Sequence, residues 1–134
     1  MARRLIIDTG VLVQAERDGS FLDGVVTEDD DLVIAAVTVA ELLFGVELAT
    51  DERRPRRERF VESIIREIPI EDYDDDVAET HAQLLAHTRR AGKKRGAHDL
   101  MIAATASVTR RTLLTTDRAA HFGELPGVRC IEVG

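Results

Sequence analysis

The run Leu5-Ile6-Ile7 stops abruptly at Asp8. It is aliphatic, partly β-branched and does not alternate with polar residues, so it reads as a strand buried on both faces. Such a strand belongs inside a parallel sheet covered by helices. Small residues, Thr9 and Gly10, follow the acid. In open α/β sheets, ligands collect at the carboxyl ends of the strands, which is where Asp8 falls. An N-cap for a helix opening near Val11 would account for Asp8 equally well. The choice turns on whether other strands deliver acids to the same edge.

Leu32 to Val37 is a second continuous apolar run, hence a second buried strand. Thr38-Val39-Ala40-Glu41 follows it with the pattern of a capping box. The helix it opens carries Val39, Leu42, Leu43, Val46 and Ala49 on one face and runs to about Thr50. Val11 to Arg17 and Phe21 to Val26 read as short helices, the first stopped by Asp18-Gly19. Pro55 suits the first turn of a further helix, whose apolar stripe is Phe60, Val61, Ile64 and Ile65. Pro69 ends it, and Ile68 to Ile70 form a short edge strand. Asp74 to Ala91 is a longer helix with Val77, His81, Leu84, Thr88 and Ala91 at helical spacing and Gly92 as its C-cap. His81 is therefore a packed or surface residue rather than a ligand.

A helix starts near Asp99, and its small residues Ala103, Ala104 and Ala106 allow close packing on a sheet. Thr112 to Thr116 is a strand that also ends at an acid, Asp117. Ala119 to Phe122 make one helical turn, Pro126-Gly127 a turn and Val128 to Val133 the last strand. Strands alternate with helices throughout. The expected fold is α/β, a mostly parallel sheet with helices on both faces, in one domain over residues 1–134.

Composition narrows the function. The 134 residues are 44% hydrophobic and 32% charged, which suits a globular domain with a proper core and excludes disorder. No apolar run approaches the roughly 20 residues of a membrane helix. The stretch after Arg3 and Arg4 is too short, and too soon broken by Asp8, for a signal peptide. A single cysteine, Cys130, excludes an internal disulfide and a cysteine-based zinc site. A soluble cytoplasmic protein is expected. The net charge of −7 has the wrong sign for a general nucleic-acid binder. The charge is patchy, however. Arg53, Arg54, Arg56, Arg57 and Arg59 form one basic cluster, for which a solvated helix face is a sufficient account. Arg89, Arg90, Lys93, Lys94 and Arg95 form another, close enough to Asp99 to hold a substrate's phosphates beside it.

Four acids share comparable settings. Asp8 and Asp117 follow strands directly, Glu41 lies in the first turn of a helix after a strand, and Asp99 opens a helix. Each has a capping role as an alternative. A parallel sheet would gather Asp8, Glu41 and Asp117 at one edge, and Asp99 joins them only if its helix starts there. Crowded carboxylates repel one another and raise their own pKa values. A divalent cation removes the conflict, and oxygen-only donors favour Mg²⁺ or Mn²⁺. Such a cation activates water and stabilises charge on a phosphoryl oxygen, so the implied chemistry is phosphodiester hydrolysis.

Taken in order, Ile7-Asp8-Thr9-Gly10-Val11-Leu12, Thr38-Val39-Ala40-Glu41-Leu42, His98-Asp99-Leu100-Met101-Ile102-Ala103-Ala104-Thr105-Ala106 and Leu114-Thr115-Thr116-Asp117 resemble the PIN domain. More narrowly they resemble the VapC-type toxins of bacterial type II toxin–antitoxin pairs, over essentially the whole chain. The resemblance implies a three-layer α/β/α sandwich and a Mg²⁺- or Mn²⁺-dependent endoribonuclease. It also implies a homodimer, inhibited by a cognate antitoxin. It assigns catalytic roles to Asp8, Glu41, Asp99 and Asp117, with Asp8 and Asp99 as the metal-binding pair. His98 stands where many members have Asn, and it places a titratable ring beside the acids. The fourth motif, which carries Asp117, is among the family's most variable. With no Trp and one Tyr, few rings can read bases by stacking, so phosphate handling is the better supported part of RNA recognition. Pairing two domains would let both basic clusters line one groove.

Other readings meet obstacles in the residues. Asp8-Thr9-Gly10 is also the triplet of retroviral-type aspartic proteases, but those are all-β, and the helical periodicities from Thr38 to Ala91 are clear. A dehalogenase-like phosphatase needs a second Asp where Gly10 stands. A receiver domain needs a further acid pair and a late Lys, whereas both lysines lie together at Lys93 and Lys94. The rival from a different class is a PIN-like module that docks a protein partner without catalysis, and the presence of all four acids argues against it.

Overall fold

The computed structural model describes residues 2–134. Five strands, β1 (Arg4–Ile7), β2 (Asp31–Ala35), β3 (Ile70–Glu71), β4 (Thr112–Thr115) and β5 (Cys130–Glu132), form a sheet in the order β3-β2-β1-β4-β5. Every pairing is parallel. The opening strand of the chain is thus the central one, with Ile6 level with Val33 on one side and Leu113 on the other. The helices are α1 (Thr9–Arg17), α2 (Phe21–Val25), α3 (Ala36–Leu48), α4 (Arg54–Glu67), α5 (Asp75–Arg90) and α6 (Ala97–Val108). None is long and apolar enough to cross a membrane among the described residues.

The unbroken apolar runs are explained by two cores, one on each face of the sheet. Ile6, Val33 and Leu113 pack with Val77 and Leu84 of α5 and with Leu100, Ala103 and Ala104 of α6. Ile7, Ile34 and Leu114 pack with Val11 and Leu12 of α1, Leu42 and Val46 of α3, and Val61 and Ile64 of α4. Successive residues of a strand point to opposite faces, so a strand covered on both sides has no position for a polar residue. The result is the expected three-layer α/β/α sandwich. Pro55 sits in the first turn of α4, and Asp74 caps α5 by accepting from the Val77 N–H at 3.0 Å.

Four local expectations are corrected. The second strand ends at Ala35 and α3 starts at Ala36 with no loop between, so Ala36 and Val37 are helical. Ala35 is the N-cap and makes no side-chain capping bond, so Thr38 and Glu41 do not form a capping box. The apolar run simply continues from a buried strand into a buried helix turn, and periodicity cannot separate the two. Similarly, α6 opens at Ala97 behind Gly96, which makes Asp99 the third residue of the helix and not its cap. The single turn expected at Ala119 to Phe122 lies at Phe122–Glu124 instead.

At the amino ends of the strands, Arg111 forms a clamp that the sequence did not reveal. It is 6% exposed. Its Nη1 donates to the Leu5 carbonyl at 3.3 Å, the Asp31 carbonyl at 3.1 Å and Asp31 Oδ1 at 2.9 Å, joining β1 and β2 to the start of β4. Removing it takes this donor from the buried Leu5 carbonyl, a loss of about 1–3 kcal/mol. Arg111→Ala is therefore expected to lower the unfolding free energy by that amount, seen as a lower urea midpoint with an unchanged m-value by circular dichroism. An unchanged midpoint would show that the clamp contributes nothing.

Candidate active site

The carboxyl ends of β1, β2 and β4 are adjacent, and each hands an acid to the same edge. The Asp8 N–H donates to the Leu114 carbonyl at 2.9 Å, continuing the ladder one residue past β1. Its carboxylate is buried, 6% exposed. Oδ1 accepts from the Thr9 N–H at 2.9 Å and Oδ2 from the Thr115 hydroxyl at 2.7 Å. Asp8 is thus both the N-cap of α1 and the buried acid at the strand end, and the two readings do not compete. Thr115 Oγ1 in turn accepts from the Asp117 N–H at 3.0 Å, so one hydroxyl links the two acids. Asp117 is exposed, and its Oδ1 accepts from the Ala120 N–H at 3.1 Å.

Glu41 approaches from α3. Its Oε1 accepts from the Thr9 hydroxyl at 2.7 Å, while Thr38 Oγ1 lies 3.3 Å from that hydroxyl. The Thr-x-x-Glu spacing therefore presents both side chains to Thr9 across the edge instead of capping a helix. Glu41 Oε2 lies 3.4 Å from Nδ1 of His98 on α6. That contact answers what periodicity left open: α6 does begin beside the sheet edge, and Asp99, half-buried in its first turn, joins the other three acids. A Cβ on Gly96 would stand 3.0 Å from Asp99 Oδ2, and one on Gly10 would stand 2.8 Å from Thr116 Oγ1. Gly10 in the Asp-Thr-Gly triplet thus serves the close approach of α1 to the end of β4.

Electrostatics confirm that the acids crowd one another. Burial pushes the Asp8 carboxyl above the ordinary Asp value; the Thr115 and Thr9 hydrogen bonds pull it back, and the charges of Asp99 and Glu41 push it up further. Burial also raises Asp99, with Asp117 and Glu41 adding to the shift and His98 and Arg95 opposing it. Among the described residues no three His, Cys, Asp or Glu side chains converge into a ready-made ligand set. The donors on offer are nevertheless all oxygens, partly desolvated and mutually repelling. That chemistry fits a hard divalent cation, whose charge would favour the ionised forms.

The cations nearby are arranged differently from the expectation. Arg95 is not free for a phosphate. Its Nη1 donates to the carbonyls of Ala120 and His121 and its Nη2 lies 3.8 Å from Glu124 Oε2, tying the 91–96 segment to the 118–124 segment. In the first basic cluster, Arg54 donates to the Val46, Glu47 and Ala49 carbonyls at the end of α3, and Arg57 pairs with Glu16 at 3.2 Å. His81 packs against Tyr73, whose hydroxyl is 2.8 Å from Nδ1, in keeping with a packed histidine. The sequence reading missed Thr9 and Thr115 as holders of the acids. The available signal was a Thr next to each of Asp8 and the end of β4.

A parallel sheet that collects four carboxylates at its strand ends, between two helical layers, defines an α/β/α domain with an acidic strand-end pocket. The match of residues 5–126 to the PIN domain model places the chain within a known group, and it belongs to the PIN-domain family. It is 32% identical over 131 residues to the toxin FitB of Neisseria gonorrhoeae, covering 88% of this chain and 91% of that protein. It is also 32% identical over 131 residues to the ribonuclease VapC5 of Mycobacterium tuberculosis, covering 96% and 92%. The crystal structure of VapBC-5 from Mycobacterium tuberculosis, a member of the VapBC family of toxin–antitoxin systems, aligns with a TM-score of 0.79 at 31% identity, covering 97% of this chain and 98% of that one.

The raised carboxyls make a testable statement about stability. A carboxyl raised on folding favours the native state while protonated, below its unfolded value of 3.8, and that contribution is lost as pH rises through the folded value. At neutral pH the ionised Asp99 therefore weakens the metal-free fold. Asp99→Asn is expected to melt at or above the wild-type temperature at pH 7 without metal, and the difference should vanish below pH 4 by differential scanning fluorimetry. A lower melting temperature at pH 7 would show that the carboxylate is needed to hold the fold.

Proposed function

We propose that this chain is a divalent-metal-dependent endoribonuclease and the toxin of a toxin–antitoxin pair. The observation that carries the reading is Asp8, a buried carboxylate held by Thr9 and Thr115 at the end of the central strand under the repulsion of Asp99 and Glu41. Asp8 and Asp99 would hold Mg²⁺ or Mn²⁺, and Glu41 and Asp117 complete the acidic pocket. When bound, the cation supplies charge stabilisation at a phosphodiester and makes water more acidic. The chain's own groups do the positioning. Two hydrogen bonds fix Asp8, so it is oriented before substrate arrives. Thr9 holds Glu41 through Oε1, and Oε2, which faces His98 Nδ1 at 3.4 Å, would orient the attacking water and accept its proton. The water oxygen would bond to phosphorus as the bond from phosphorus to the ribose oxygen breaks, with the water's proton passing to Glu41 and the departing ribose oxygen taking a proton from solvent.

The relatives support the biological setting. VapC5 is called a ribonuclease, and its structure belongs to a toxin–antitoxin system. A cognate antitoxin and a second copy of the chain are the partners we assign, within one domain over residues 1–134 and in the cytoplasm. Leu43, Phe44 and Leu48 stand exposed on α3 and supply an apolar surface for protein contact.

Purified protein is expected to cleave RNA with Mg²⁺ or Mn²⁺ and to stop with EDTA. Asp8→Asn and Asp99→Asn should each lower the rate by at least about 10²-fold, the scale of deleting one pre-organised electrostatic group. Glu41→Gln keeps an acceptor for Thr9 and removes the charge. It should melt near wild type while losing most of its cleavage and its toxicity on expression. Metal-independent cleavage, or near-native rates in Asp8→Asn, would overturn the reading.

A further inference from the structure

The acid pocket is flanked by two different surfaces. On the α1 side, a groove of about 170 Å³ beside Glu41 is lined by Val13, Leu42 and Phe60, with two arginines, Arg17 and Arg57, of which Arg57 is paired with Glu16. On the α6 side, a cavity of about 250 Å³ is lined by Asp99 and Asp117 together with Lys93, Lys94, Arg95 and His121. A second hollow of about 650 Å³ shares Lys93, Lys94 and Arg95 and continues along α5 past Leu85 and Arg89. The two hollows meet at Lys93, Lys94 and Arg95, so the 91–96 segment sets a trough of cations between the acids and α5.

The cations of this trough are not equivalent. Arg95 is spent on the carbonyls of Ala120 and His121, and Lys93 lies 3.3 Å from Glu124 Oε2. Lys94 and Arg89 are exposed and form no ion pair among the described residues. His121 is exposed at the rim, with a left-handed backbone of φ 49 and ψ 47. A non-glycine residue in that conformation is strained unless its surroundings impose it. Here Arg95 grips the His121 carbonyl and so keeps the residue against the cavity. A chain of net charge −7, with four acids at its reactive edge, repels a polyanion over most of its surface, and this trough is a cationic approach that leads directly to Asp99 and Asp117.

We propose that Lys94, with His121 and Arg89, forms a subsite for the backbone phosphates of the RNA strand on one side of the cleaved bond, so that the strand leaves the acid pocket over the 91–96 segment towards α5. The proposal rests on the ribonuclease reading and adds to it the direction of the substrate and the residues that grip it. These contacts are made equally before and during bond cleavage, so they set binding more than turnover.

The test uses Asp8→Asn protein, which is to bind RNA without cutting it, and a short fluorescent single-stranded RNA titrated at several KCl concentrations. Adding Lys94→Ala should weaken binding and make the slope of log affinity against log salt shallower by about 0.7, the value for one lost phosphate contact on a single strand. Adding Arg89→Ala as well should flatten it again by a similar amount. Lys94→Arg should restore the slope, and Lys94→Glu should weaken binding more than Lys94→Ala. In the otherwise wild-type enzyme, Lys94→Ala should raise KM several-fold with kcat retained. Unchanged affinity, slope and KM in these variants, with Asp8→Asn still binding RNA and the wild-type protein still cleaving it, would overturn the subsite and leave the ribonuclease reading standing. A wild-type protein that neither binds nor cleaves RNA would overturn both.

Discussion

Burying a carboxylate at the end of the central strand is the demand that shapes the rest of this molecule. Without partners such a group costs several kcal/mol, or loses its charge. Asp8 is given the Thr9 N–H at the start of α1, the Thr115 hydroxyl from the neighbouring strand and the positive end of the α1 dipole. These contacts fix which way the acid faces. They also require α1 to lie close over the end of β4, where only a glycine at position 10 leaves room for Thr116. The like charges of Asp99 and Glu41 push the Asp8 carboxyl up, and His98 and Arg95 counter the same crowding at Asp99 only in part, since its carboxyl is still raised. The native state thus carries an electrostatic penalty at one edge, which the two apolar cores offset.

The penalty and the reinforcement sit at opposite ends of the strands. Arg111 gathers β1, β2 and β4 at their amino ends, far along the sheet from the acids. Arg95 plays a comparable part on the reactive side, where it joins two connecting segments through carbonyls and so shapes the rim of the pocket. Both are arginines doing the work of several backbone donors. Neither is a surface charge in function, although composition alone counts them with the rest.

What could be read in the sequence followed the strength of local pattern. Leu5 to Ile7 ending at Asp8 was legible because burial on both faces removes alternation, and the structure places that strand in the centre. The helices with clear stripes and caps, such as the one opened by Asp74, were equally legible. The Thr38–Glu41 pair was misread because a sequence pattern for a cap and a pair of residues facing a neighbouring Thr have the same spacing. The placement of Asp99 depended on where α6 starts relative to the sheet, a tertiary fact that one helix cannot announce. The roles of Arg95 and Arg111 were hidden for the same reason: their partners are carbonyls, which every residue carries, so no side-chain pattern marks them.

The direct join between β2 and α3 has a consequence for how this chain can vary. Ala35 ends the strand and Ala36 begins the helix, so nothing between them can absorb a change in length. One inserted residue would turn the rest of α3 by about 100° and advance it by about 1.5 Å. Glu41 would swing away from Thr9, and Leu42 and Val46 would leave the core together with it. At this junction the lineage can drift by exchange of one side chain for another, but insertions and deletions are closed to it. The exposed stretch from Thr50 to Arg53, between α3 and α4, is under no such restriction. Differences in length among descendants of this sequence should therefore gather there.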